Sequence, residues 1–131
     1  MAGDVRAADA PAPELDGRGL RIAIVASRFN SHVTLRLLDG ARRGLAALDV
    51  ADDDVTVTWV PGAFEIPSAA QAHASSGRVD AVIAVGCVIR GETSHYDIVA
   101  GQCAAGLMRV GLDTGVPVVL GVLTTENLAR A

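Results

Sequence analysis

Four short apolar runs, each ending in a turn and handing over to a helical stretch, limit what this chain can become. They are Leu20–Ala26, Val55–Val60, Asp80–Val85 (led by its aspartate) and Val116–Val122. Three of these runs are largely continuous in Val, Ile and Ala and read as strands covered on both faces, the habit of a parallel sheet, and Val55-Thr-Val-Thr-Trp-Val60 reads as a further strand. Helical periodicity fills the gaps between them. Leu37, Leu38, Ala41, Leu45 and Leu48 share one side of a helix over about 31–48. Gly40 and Gly44 in that helix suit close packing rather than intrinsic helicity. A second helix is expected over about 63–76, with Pro67 tolerable in its first turn. A third runs to about Leu112 with Val99, Cys103, Leu107 and Val110 on one face. Leu123-Thr-Thr-Glu126 opens a fourth, capped by Thr124 or Thr125 and held only by Leu128, so it reads as a truncated helix. Four strand-then-helix units predict a three-layer α/β/α sandwich with a four-stranded parallel sheet and right-handed crossovers.

At 131 residues the chain has single-domain length. Residues 20–131 form the expected domain, and residues 1–19, rich in Ala, Pro, Gly and Asp without periodicity, an arm that orders against a partner. A net charge of −4 and the lack of any Lys/Arg block exclude a nucleic-acid surface. No signal-peptide pattern appears and no apolar run reaches about 18 residues, so a soluble cytoplasmic protein is expected, without membrane contact. Cys87 and Cys103 lie in apolar contexts and are not a C-x-x-C pair, as free buried thiols of a reducing compartment would be.

In an open parallel sheet, ligands bind beyond the carboxyl ends of the strands. The third strand ends in Gly86-Cys-Val-Ile-Arg-Gly-Glu-Thr-Ser-His-Tyr-Asp-Ile98. Gly86-x-x-x-x-Gly91-Glu92-Thr93 differs from a P-loop by one residue, since Glu92 stands where a P-loop has Lys. All eleven cations of the chain are Arg, so a triphosphatase is disfavoured. A smaller anion fits amides from Gly91 to Thr93 at a helix N-terminus, against the plainer reading of an ordinary capped turn. His95 sits four residues before Val99 and so continues the apolar face of the third helix at its open end. Histidine ordinarily titrates near neutrality, which makes an imidazole beside an anion site a candidate proton donor and acceptor.

The other strand tips carry Phe29 and Asn30, then Ala63-Phe64-Glu65. Phe29 and Phe64 are the only phenylalanines, and both fall at this edge. They either plug the sheet end or stack on a flat ring whose polar rim Asn30 and Glu65 would bind. The acidic run Asp52-Asp53-Asp54 precedes its strand and is expected at the opposite end as a solvated turn. No G-x-G-x-x-G follows the first strand and no His/Cys/Asp/Glu cluster has ligand spacing, so neither a dinucleotide nor a metal is expected. His32 and His73 read as surface residues. Without lysine, an enzyme-bound Schiff base is closed off, and any imine must use a substrate's own amine.

Ser27-Arg-Phe-Asn30, Val60-Pro-Gly-Ala-Phe-Glu-Ile-Pro67, Gly86 through Asp97 and Gly121-Val-Leu-Thr-Thr-Glu126 together resemble the 6,7-dimethyl-8-ribityllumazine synthase family of riboflavin biosynthesis. The resemblance spans about residues 20–131. It implies a flavodoxin-like fold whose sheet a neighbour's N-terminal strand would complete. It also implies a cofactor-independent condensation of 5-amino-6-(D-ribitylamino)uracil with 3,4-dihydroxy-2-butanone 4-phosphate. By that similarity Phe29 stacks on the pyrimidine, with Asn30 beside it, and Ala63, Phe64 and Glu65 contact the ring and the ribityl chain. Cys87, Val88 and Ile89 line the pyrimidine side, while Gly91, Glu92 and Thr93 hold the phosphate. His95 moves the proton. Leu120 stands where the family often has Phe. The family's phosphate-binding Arg, in a Gln-Ala-x-x-Arg-Ala-Gly context, would fall beyond Ala131, and Arg130 takes the Gln position instead. Family members form pentamers or sixty-subunit icosahedral shells with shared sites. A non-catalytic lumazine or flavin binder, a shell-forming protein and an archaeal-type riboflavin synthase remain open as alternatives at this point.

Overall fold

A computed structural model describes residues 13–91, 94–127 and 129. Four strands, β1 (Ile22–Ser27), β2 (Val55–Val60), β3 (Ala81–Ile89) and β4 (Val118–Thr125), alternate with three helices, α1 (Ser31–Ala47), α2 (Ile66–Ser75) and α3 (His95–Thr114). Every pairing is parallel and the order is β2-β1-β3-β4. Period-two alternation sends Ile22, Ile24 and Ala26 to one face, where they pack with Leu38 of α1. Ala23, Val25, Val82 and Ala84 face the other way, onto Ile66 of α2 and Leu107 of α3. The result is the expected three-layer, flavodoxin-like sandwich. β1 is buried along its whole length, which is why it shows no polar alternation.

Several details depart from the sequence reading. β3 continues to Ile89, four residues past the expected end, because β4 also continues and pairs with it residue by residue to Thr125. Gly86 therefore lies inside a strand. A methyl group there would come within 2.6 Å of Ser27 Oγ and 3.3 Å of Ile66 Cδ1, so glycine permits a close approach between neighbouring strands and α2. Residues 123–125, read as the start of a fourth helix, are strand; Leu128, Arg130 and Ala131 lie outside the described residues. The second helix begins as a 3₁₀ turn over Ala63–Glu65 before α2 proper, with Pro67 in the first α-helical turn. Nothing packs within 4 Å of a side chain placed on Gly40 or Gly44; the close helix approach is made instead by Gly106 of α3 against Pro67. The described part of residues 1–19 joins the domain at Gly17, whose N–H donates to Leu48 O at 2.7 Å. No described helix is long and apolar enough to cross a membrane.

Candidate active site

The register of the sheet makes the site. β1 pairs with β3 only as far as Ala26 and Val85, whereas β3 and β4 stay paired to Ile89 and Thr125. Odd-numbered residues of β3 turn their backbone groups toward β1, so Cys87 and Ile89 reach past the end of their partner strand. Polar backbone left in that position needs another partner. Asn30 supplies one: its Nδ2 donates to Cys87 O at 3.0 Å. It does so from a left-handed conformation (φ 61°) at the N-terminus of α1, a conformation Asn tolerates better than most residues.

Above this gap lies a cavity of about 340 Å3, a size that suits a small heterocycle. Buried Ala63, Cys87 and Val88 line it together with half-buried Ile89 of β3 and Val99 of α3. Phe29 and Phe64 line the cavity while 72% and 55% exposed, so neither plugs the sheet. Large apolar rings exposed beside a hollow mark an interaction surface rather than core. Glu65 lines it as well, yet its Oε1 also accepts from the Gly62 N–H at 3.0 Å, closing the Pro-Gly turn after β2. One carboxylate oxygen is thus structural, and the carboxylate is held in place for whatever its other oxygen meets.

His95, the first residue of α3, lines the same cavity from its exposed mouth. One chain therefore brings together Phe29, Asn30, Ala63, Phe64, Glu65, Cys87, Val88, Ile89 and His95. Gly91 is exposed nearby in sequence but does not line the cavity. Glu92 and Thr93 lie outside the described residues. Leu120 is elsewhere: 56% exposed on β4, it lines shallow hollows against α3 with Ala104 and Leu107.

Pro61, Gly62 and Val99 also line the cavity. The sequence reading took the first two only as a strand breaker and the third only as core. Val99 was detectable, since it follows His95 by one helical turn. Burial pushes the Cys87 thiol up and the Cys103 thiol up to about 11, so neither is an activated nucleophile. His73, expected at the surface, is half-buried with its Nε2 2.8 Å from Thr58 Oγ1. No described group of His, Cys, Asp and Glu could hold a metal ion. Asp52–Asp54 form a 3₁₀ turn before β2, at the far end of the sheet from the cavity.

A parallel α/β sandwich with a ring-sized slot at its carboxyl rim, flanked by exposed phenyl rings and an imidazole, defines a class of small-molecule α/β proteins. Residues 19–131 match the family model for 6,7-dimethyl-8-ribityllumazine synthase, and the chain belongs to that family. The family is of transferase type and serves riboflavin biosynthesis.

Proposed function

We infer that this chain condenses 5-amino-6-(D-ribitylamino)uracil with 3,4-dihydroxy-2-butanone 4-phosphate to give 6,7-dimethyl-8-ribityllumazine, inorganic phosphate and two waters. The observation that carries this reading is the meeting of Phe29, Phe64, the Cys87–Ile89 strand edge and His95 around one cavity. The pyrimidine stacks on Phe29 and sets its polar edge against the backbone at Cys87 and Ile89. The ribityl chain runs past Ala63, Phe64 and Glu65, with Asn30 holding the wall. Gly91, Glu92 and Thr93 receive the phosphate.

The 5-amino group attacks the ketone, and loss of one water leaves an imine; no lysine is needed. Removing a proton next to the imine expels phosphate. The enol left behind tautomerises to a new carbonyl at the former hydroxyl-bearing carbon; the ribityl-bearing nitrogen attacks it, and loss of a second water closes the ring. His95, at the cavity mouth, takes and returns these protons. Catalysis of this kind rests mainly on holding two substrates in contact in an apolar slot.

Leu120, outside this cavity yet exposed, would complete the site of an adjoining subunit in a pentamer or a sixty-subunit shell. The arm before residue 20 would cover a neighbour's sheet edge. The protein works in the cytoplasm with no metal or organic cofactor. Purified protein mixed with both substrates should produce the lumazine absorbance. Tight binding of the product without turnover would overturn the enzyme reading in favour of a carrier. Conversion of lumazine to riboflavin would overturn it in favour of a riboflavin synthase.

A further inference from the structure

Arg90 follows the last residue of β3 and is the nearest cation in sequence to the proposed phosphate site, which makes it an obvious candidate for a phosphate ligand. The structure assigns it a different role. Its Nε lies 3.1 Å from Glu126 Oε2, just beyond β4, and its Nη2 donates to Asp97 Oδ1 at 3.1 Å, in the first turn of α3. The guanidinium carbon stands 4.6 Å from the centre of the Tyr96 ring, within the range of a cation–π contact. The Arg90 N–H donates to Thr125 O at 2.8 Å. One residue therefore ties the ends of two strands to the start of the helix that begins with His95.

We propose that Arg90 is a positioning residue that fixes the start of α3, and with it His95 and the Gly91 amide, against the sheet. Each ion pair is solvent-exposed and individually weak, so the set is poorly explained as a stabilising device. Its geometry is the informative part. A planar fork meets two carboxylates on different elements while its face covers a ring, which restrains translation and rotation together. With both carboxylates engaged, the charge of the guanidinium is already balanced within the chain. This proposal rests on the function inferred above, and its test is built to separate the two.

Arg90→Ala should raise KM for the phosphate-bearing ketone by about ten-fold while KM for the pyrimidine stays within about two-fold, because the Phe29 and Phe64 contacts do not depend on the clamp. The double variant Asp97→Asn/Glu126→Gln, which keeps Arg90 but removes its anchors, should reproduce that split. Arg90→Lys should fall between, since a point charge cannot bridge both carboxylates and stack. An unchanged ketone KM in the double variant, with a rise in Arg90→Ala, would show Arg90 contacting phosphate directly and would sink the proposal. A fall in kcat alone, matching the loss of folded protein, would sink it too. If the wild-type protein shows no turnover, the functional reading fails, and hydrogen exchange then judges the clamp. Amide exchange at Gly91, Ser94 and His95 should speed up at least about ten-fold in Arg90→Ala, with β1 amides unchanged. Equal exchange in both proteins overturns the clamp.

Discussion

The two ends of the sheet are finished in opposite ways. At the amino end, Arg21 and Asp80 close on each other: Arg21 N–H donates to Asp80 Oδ2 at 2.8 Å, Asp80 N–H returns a bond to Arg21 O at 2.7 Å, and the side chains pair at 3.4 Å. The Arg21 bonds hold the Asp80 carboxyl below its ordinary range. At the carboxyl end, β3 outruns β1, and phenyl rings stand in water around the gap. The first end satisfies itself; the second leaves a hollow lined by exposed rings. Charge at a sheet end is thus a poor guide to function, because Asp52–Asp54 and Asp80 all lie at the end that binds nothing in this reading.

The largest effect that could break this contrast is at His95. His95→Ala should lower kcat by about 10²–10⁴-fold, the usual contribution of a positioned proton-transfer group, with the unfolding midpoint little changed because the ring is exposed. A turnover assay on lumazine absorbance checks it, and near-normal kcat would remove the imidazole from the mechanism.

Next in size is a pair of substitutions at the same rim of the sheet. Ile66 is fully buried beneath the rim, and Ile66→Ala should destabilise the fold by about 2–5 kcal/mol through lost contacts and a cavity. Phe64 and Phe29 are exposed, so Phe29→Ala should leave stability within about 0.5 kcal/mol. It should instead cost about 1–3 kcal/mol of pyrimidine binding through lost stacking. Urea unfolding and ligand titration separate the two, and a large loss of stability in Phe29→Ala would mean that the ring is a plug after all.

Much of this contrast was legible in the sequence, for reasons that have limits. β1, β3 and β4 showed because buried parallel strands favour nearly continuous apolar runs, β2 showed by its Val/Thr pattern, and the sheet end where a ligand is expected followed from strand direction. Phe29, Phe64 and His95 showed because aromatics make up only 3% of the chain and histidines number three. The length of β3 did not show: Gly86 and Cys87 resemble the start of a loop, and only pairing with β4 keeps them in a strand. Arg90 stayed silent for a similar reason. Its partners Asp97 and Glu126 are seven and thirty-six residues away, and nothing local says that they meet. The packing role expected of Gly40 and Gly44 belongs to Gly106, because the partner of a small residue is set by tertiary approach rather than by helix spacing.

The two thiols give a smaller test. Burial raises the Cys103 thiol from 9.0 to about 11 in the folded protein. Between those values the unfolded chain loses a proton that the folded one keeps, so stability falls as pH rises. The contribution is whole below about pH 9 and gone above the folded value. Cys103→Ala should flatten that alkaline decline while lowering stability near neutral pH slightly. A decline equally steep in the variant would mean that other groups cause it.

The smallest predicted effect turns on backbone strain, and again each end of the sheet has one case. Asn30 and Asp49 are the non-glycine residues with positive φ among the described residues, at 61° and 67°. Asn30, at the carboxyl end, uses its conformation to reach Cys87 O. Asp49, just past the end of α1 at the amino end, has no side-chain hydrogen bond among the described residues and holds a position that glycine usually fills. A left-handed conformation costs an ordinary L-residue about 1–2 kcal/mol, and Asp somewhat less. Glycine removes that cost but returns about 0.4–1 kcal/mol through the greater freedom of the unfolded chain. Asp49→Gly should therefore gain about 0.5 kcal/mol in urea unfolding and leave turnover alone. Asn30→Gly relieves the same backbone but leaves Cys87 O without its partner beside the cavity, so it should lose stability and weaken pyrimidine binding. If the two substitutions moved stability in the same direction, strain at the rim would have no more purpose than strain at the closed end, and the contrast between the ends would fail there.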